Sequence, residues 1–97
     1  MGERTECRWS AIATNAAIVV FETYDVQDSD RLEVLIARCL YDRKGTYTVR
    51  LTPGIVAGST EATIDGHGRS SGFVIHGVPD LATMQMRVRH QLGRDAD

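Results

Sequence analysis

Residues 17–24 read Ala17-Ile18-Val19-Val20-Phe21-Glu22-Thr23-Tyr24, and residues 28–40 read Asp28-Ser29-Asp30-Arg31-Leu32-Glu33-Val34-Leu35-Ile36-Ala37-Arg38-Cys39-Leu40. The first stretch is β-branched and aromatic, and its first half is apolar on both sides of a strand. That is the pattern of a central strand with helices on one face and a partial cover on the other. The second stretch repeats Leu32, Leu35, Ile36, Cys39 and Leu40 at steps of three and one, which lays one apolar stripe along a helix. Asp28, Ser29 and Asp30 suit an N-cap, and Asp30 with Glu33 has capping-box spacing. Gly45 stops the run after Arg43 and Lys44, whose charges suit the negative end of the helix dipole. The spacing predicts a helix over residues 30–43, directly after a buried strand.

Working outward, Cys7, Trp9, Ala11 and Ala13 alternate with other residues up to a tight turn at Thr14-Asn15, which predicts an N-terminal strand hairpinned onto residues 17–24. Downstream, residues 46–52 alternate strictly, with Tyr47, Val49 and Leu51 facing in, until Pro53-Gly54 and Gly58 interrupt them. Residues 60–65 alternate weakly, and residues 72–78 carry Phe73 and Ile75 on one face. Pro79 then opens a second helix at its first position. Its narrow stripe is Leu81, Met84, Val88 and Leu92, and Gly93 ends it. Arg87, Arg89, His90 and Arg94 gather near the C-terminal end, where positive charge is stabilised.

The order is β-β-α-β-β-β-α over residues 1–97, read as one α+β domain. Each helix has a single apolar stripe and needs a sheet face, so the expected architecture is a two-layer sandwich, an antiparallel sheet of four to five strands with two helices on one face. This order resembles the ferredoxin-like sandwich, βαββαβ, or a circular permutant of it. The N-terminal strand would take the place beside residues 17–24 that the ferredoxin-like fold gives to its last strand, and an extra ribbon would lie between Pro53 and Gly72. Such a sheet leaves one face bare, here carrying Ile18, Val20, Tyr24 and Val74.

Composition narrows the function classes. Hydrophobic residues make up 42% and charged residues 25% of the 97, which argues for a globular chain and against disorder. Thirteen acids against eleven bases give a net charge of −2, so no positive excess draws the chain onto phosphate or anionic lipid. The longest apolar run, Ala16 to Phe21, ends at Glu22, far short of the ~20 residues that span a bilayer. Residues 1–6 place acids where a secretion signal has bases, and Glu6 breaks the myristoylation pattern. Cys7 and Cys39 are far apart and outside any Cys-x-x-Cys spacing, so neither a disulfide framework nor a zinc ribbon is expected, and a reducing cytoplasm is. Cys39, on the helical stripe, reads as a small buried hydrophobe.

The most suggestive stretch chemically is Asp65-Gly66-His67-Gly68-Arg69-Ser70-Ser71-Gly72. Freed backbone N–H groups could cradle an anion there, with Arg69 and Ser70 completing the site and His67 or His76 serving as acid or base. The glycine spacing is not followed by a helix, as a dinucleotide fingerprint requires, and no Gly-Lys-Ser/Thr ending makes a P-loop. A glycine-rich hairpin or loop joining two strands explains it more simply. Residues 68–74 resemble the third strand of an RNA-recognition motif, which implies base stacking on the sheet. That motif needs several aromatics and this strand has Phe73 alone, so nucleic-acid binding is not expected. A metal would require His67 and His76 to converge with Asp65, and no spacing forces that. The acids at 25–30 lack the glycine and terminal glutamate of a calcium loop. No Gly-x-Ser-x-Gly elbow supports a serine nucleophile. Trp9 is a core lid or an interface anchor.

The expected function is therefore a small, cytoplasmic, non-enzymatic interaction module without a cofactor. It would self-associate as a homodimer or dock on a protein partner through its apolar sheet face, with Trp9, Ile18, Val20 and Tyr24 as the interface. The alternative is a small-anion-binding regulatory domain or small enzyme that uses residues 66–72, with His67, Arg69, Ser70 and His76.

Overall fold

The computed structural model describes residues 7–93. Strands β1 (Cys7–Ala13) and β2 (Ala17–Tyr24) are followed by helix α1 (Ser29–Cys39), strands β3 (Gly45–Pro53), β4 (Ser59–Gly66) and β5 (Arg69–His76), and helix α2 (Leu81–Leu92). The element order is the one the residue patterns predict, and the architecture is α+β, one five-stranded sheet with two helices.

Alternation along the strands decides which side is buried. Val19, Phe21 and Thr23 of β2 stand opposite Tyr47, Val49 and Leu51 of β3. Val49 and Leu51 in turn oppose Ile64 and Ala62 of β4, and Ala62 opposes Phe73 of β5. Leu32, Ile36 and Leu40 of α1 and Met84 and Val88 of α2 join these residues in one core. Fully burying an aliphatic or aromatic side chain of this size contributes about 1.5–3 kcal/mol, so this layer dominates the stability.

The sheet differs from the fully antiparallel expectation. Its strands lie in the order β1-β2-β3-β4-β5, and β2 pairs with β3 in parallel. A split ferredoxin-like arrangement would insert a strand between those two, and none is inserted. The chain leaving α1 meets β2 itself. Gly45 N donates to Ala16 O at 3.1 Å, which docks the chain leaving α1 directly beside the start of β2. Two hairpins then add β4 and β5 outward as a meander.

Both helices depart in detail from their sequence reading. The first ends at Cys39, four residues before Arg43, with Leu40 as its C-cap. Its N-cap is Asp28, held in the left-handed region (φ 57°) without a side-chain cap bond, and no capping box forms. Glu33 turns toward the sheet instead. In the second helix the N-cap is Asp80, whose side chain accepts from Thr83 N at 2.9 Å, so Pro79 precedes the helix and is not its first residue. Gly93 closes that helix as expected, with φ 79°. Arg94 of the basic cluster, the leader reading of residues 1–6 and the closing residues 95–97 lie outside the described residues.

Candidate interaction surface

The opposite side of the sheet carries the other half of each alternation, and no helix covers it among the described residues. On β1 and β2 it presents Cys7, Trp9, Ala11 and Ala13 beside Ile18, Val20, Glu22 and Tyr24, in register as Trp9↔Glu22, Ala11↔Val20 and Ala13↔Ile18. Trp9 is 61% exposed and Ile18 50% exposed. On β3 to β5 the same side turns polar, with Thr46, Thr48, Arg50 and Thr52, then Glu61, Thr63 and Asp65, then Ser70 and His76 around Val74. The face is thus divided into an apolar half on β1–β2 and a hydroxyl-rich half on β3–β5. Between them Glu22 receives the Tyr24 hydroxyl and Arg50 Nε, the latter at 3.4 Å. The bond to Glu22, followed by the neighbouring Cys7, pushes the Tyr24 phenol up to about 12.

Trp9, Ile18, Val20 and Tyr24 therefore share one surface. Trp9 is not a core lid, because its place in the alternation points it away from the helices. Val74 also lies on this side, three strands away from Ile18.

The residues of the ligand reading are not brought together. The stretch 66–72 is not a loop: Gly66 pairs with Arg69, and His67 and Gly68 form a two-residue turn with φ of 52° and 77°. Positive φ at both central positions is what a tight type I′ hairpin demands, and it leaves no open run of backbone N–H groups to cradle an anion. Arg69 and Ser70 belong to β5. His67 is committed elsewhere, its Nε2 donating to Lys44 O at 2.8 Å and its ring meeting Tyr47 edge-on at 5.2 Å. His76 closes the far end of β5, roughly 23 Å away at about 3.3 Å per residue. Among the described residues no three His, Cys, Asp or Glu groups converge to hold a metal. A cleft of about 310 Å³ does open between residues 25–28, residues 53–60 and Gly77, but it contains none of these four residues. Its charged lining is Asp25 and Asp28, the wrong sign for an anion.

Sequence reasoning missed a polar knot between β1 and α1. The buried Glu33 carboxylate accepts from Arg8 Nη2 at 2.9 Å, Ser10 Oγ at 3.0 Å and Thr23 Oγ1 at 2.7 Å. Arg8 also meets Asp30 at 3.0 Å, and its bonds to Glu33 and then Asp30 raise its pKa further. The signal was present: Glu33 stands three and seven residues before Ile36 and Leu40, in the middle of the buried stripe. The knot fixes β1, whose inward face has only Ile12 as a large apolar residue, to the helical layer. Cys39, half-buried against the core, has its thiol pushed up to about 11 by burial, as befits an inert packing residue. Cys7 and Cys39 are both free.

No described helix is long and apolar enough to cross a membrane. Comparison of the chain with protein-family models, with curated proteins and with solved structures finds no match.

Proposed function

We propose that this chain is a small, non-enzymatic interaction module of the cytoplasm that self-associates, a second copy of the same chain docking at the apolar β1–β2 end of its sheet. The observation that carries this reading is the strip Trp9, Ala11, Ala13, Ile18 and Val20, contiguous on β1 and β2 and outside the helical cover. Contiguous exposed apolar surface is what protein contacts use, and aromatic side chains such as Trp9 anchor them. A two-fold interface lets one such strip serve both partners, so a single sequence feature suffices. The net charge of −2 is too small to keep two copies apart at cellular salt, where charges are screened within about 8 Å. The two distant thiols fit a reducing compartment.

Sedimentation equilibrium from low micromolar to millimolar concentration tests the reading. A reversible monomer–dimer equilibrium, weakened by Trp9→Ala, is expected. A chain that sediments as a monomer at every concentration overturns it.

A further inference from the structure

We propose that this self-association, on which the inference rests, runs through the free edge of β1: two copies pair β1 with β1 antiparallel about a two-fold axis at Ser10, and their two five-stranded sheets fuse into one of ten strands.

Backbone geometry identifies the groups involved. Thr14 N donates to Ala17 O at 2.8 Å, so these residues form the hydrogen-bonded pair that closes the Asn15-Ala16 turn. Bonded and non-bonded pairs alternate along an antiparallel ladder. Ile12, Ser10 and Arg8 therefore exchange bonds with β2, whereas Cys7, Trp9, Ala11 and Ala13 turn their N–H and C=O groups outward. β1 pairs only with β2 among the described residues.

Soluble proteins protect such an edge with lysines, prolines, bulges or a covering element. β1 has no lysine and no proline, and its one charge, Arg8, is tied to Asp30 and Glu33. The opposite edge is treated differently. The β4–β5 hairpin closes on the Gly66–Arg69 pair, so the outward residues of β5 are Ser70, Gly72, Val74 and His76. Arg87 Nη2 of α2 caps the Val74 carbonyl at 2.7 Å, its guanidinium 5.3 Å from the Phe73 ring centre. Ser71 Oγ also donates to Gln91 O at 3.2 Å. One edge has its Val74 carbonyl taken by the protein's own helix, and the other, among the described residues, is left available.

The surroundings of the available edge suit a second copy. Because Asp30 and Glu33 both reach Arg8, the flank of α1 above β1 is the one that also bears the exposed Val34, one turn on from Asp30. Trp9 lies on the other side of the sheet, so apolar groups frame the edge above and below. A seven-residue strand is about 23 Å long, and the molecule is 21 Å thick. That end therefore offers roughly 500 Å² per copy and about 1,000 Å² in all, the size at which specific interfaces begin. With Ser10 opposite Ser10, the whole strand pairs. Trp9 then meets Ala11 of the second copy, a large ring beside a methyl group, Cys7 meets Ala13, and Arg8 meets Ile12, so no like charges face each other.

The test compares the full chain with Ala11→Pro and Ile18→Glu. Proline at position 11 removes an outward N–H and none that binds β2, a place where sheets tolerate it. Symmetry doubles the loss, so Ala11→Pro should weaken the dimer by roughly a hundredfold while keeping the wild-type circular dichroism. Ile18→Glu, on the face one strand in from the edge, should leave dimerisation within about tenfold. Amide exchange at Trp9, Ala11 and Ala13 in the unaltered chain should slow with rising concentration, and this readout decides the matter should Ala11→Pro fail to fold. A dimer that survives Ala11→Pro, or that forms without slowing those amides, overturns the edge pairing and leaves self-association standing. A monomer at every concentration overturns both.

Discussion

Truncating Glu33 to alanine tests how β1 is held. Its side chain is 6% exposed and accepts three hydrogen bonds, from Arg8, Ser10 and Thr23. The change orphans the buried Thr23 hydroxyl, which costs about 1–3 kcal/mol. It also removes one buried methylene, worth ~0.8 kcal/mol. Arg8 is half in water, rehydrates, and adds little. The expected loss is about 2–4 kcal/mol, a large share of the roughly 5–15 kcal/mol that stabilises a typical domain. It corresponds to a fall in melting temperature of roughly 10–25 °C for a chain of this length. Urea denaturation followed by circular dichroism measures it. Thr23→Val supplies the control, because valine leaves no hydroxyl to orphan, so the double variant should recover about 1–2 kcal/mol relative to the sum of the two single losses. A loss below about 0.5 kcal/mol for Glu33→Ala, the level of an ordinary surface change, would refute the reasoning, and so would strict additivity in the cycle.

Four further outcomes are expected. Alkylation with iodoacetamide near neutral pH should modify the exposed Cys7 readily and Cys39, whose thiol is pushed up to about 11, only after unfolding; equal rates would contradict the packing of α1. The folded chain holds the Tyr24 proton more tightly than the unfolded chain, so the resulting stability should be complete below the ordinary tyrosine range and disappear as pH rises to about 12. Tyr24→Phe should abolish that high-pH phase in phenolate absorbance and in stability alike. Asp80→Ala should lower the melting temperature by removing the Thr83 cap. Because that bond holds the Asp80 carboxyl below its usual range, the stability it provides should be present at neutral pH and fade as the solution is acidified through the carboxylate range, a dependence that Asp80→Asn should lack. Gly66→Ala should destabilise by about 1–3 kcal/mol, since its Cβ would stand 2.5 Å from Tyr47 Cδ2 on the core side of the sheet.

The strands and helices were legible because the core writes them twice, as alternation in Val19, Phe21, Tyr47, Val49 and Leu51 and as a helical stripe in Leu32, Ile36 and Leu40. The uncovered side followed from the same alternation, which is why Ile18, Val20 and Tyr24 could be assigned to it. What failed were features that depend on pairing partners. Nothing local to residues 17–51 distinguishes an adjacent parallel neighbour from a split arrangement; the choice is made by Gly45 N reaching Ala16 O. The glycines at 66, 68 and 72 fitted a hairpin or loop between two strands as well as an anion cradle, and the hairpin is what forms: two of them bracket a turn at His67 and the third lies within β5. Glu33 read as a capping partner for Asp30 because the spacing fits both roles, and only the presence of Arg8, Ser10 and Thr23 on the facing strands pulls it inward. Trp9 could not be placed from sequence, since its strand has apolar residues on one side and a buried polar knot on the other.

The Arg87–Val74 contact has a bearing on assembly size. Open sheets with two bare rims can add copies without limit, which is how fibrils grow. Under the proposed β1 pairing, a molecule whose other rim is capped at Val74 keeps a single joining end, so partners meet head to head and propagation stops at two. Under that pairing, removing the cap with Arg87→Ala should let the pair polymerise, visible as turbidity or thioflavin binding where the parent stays clear.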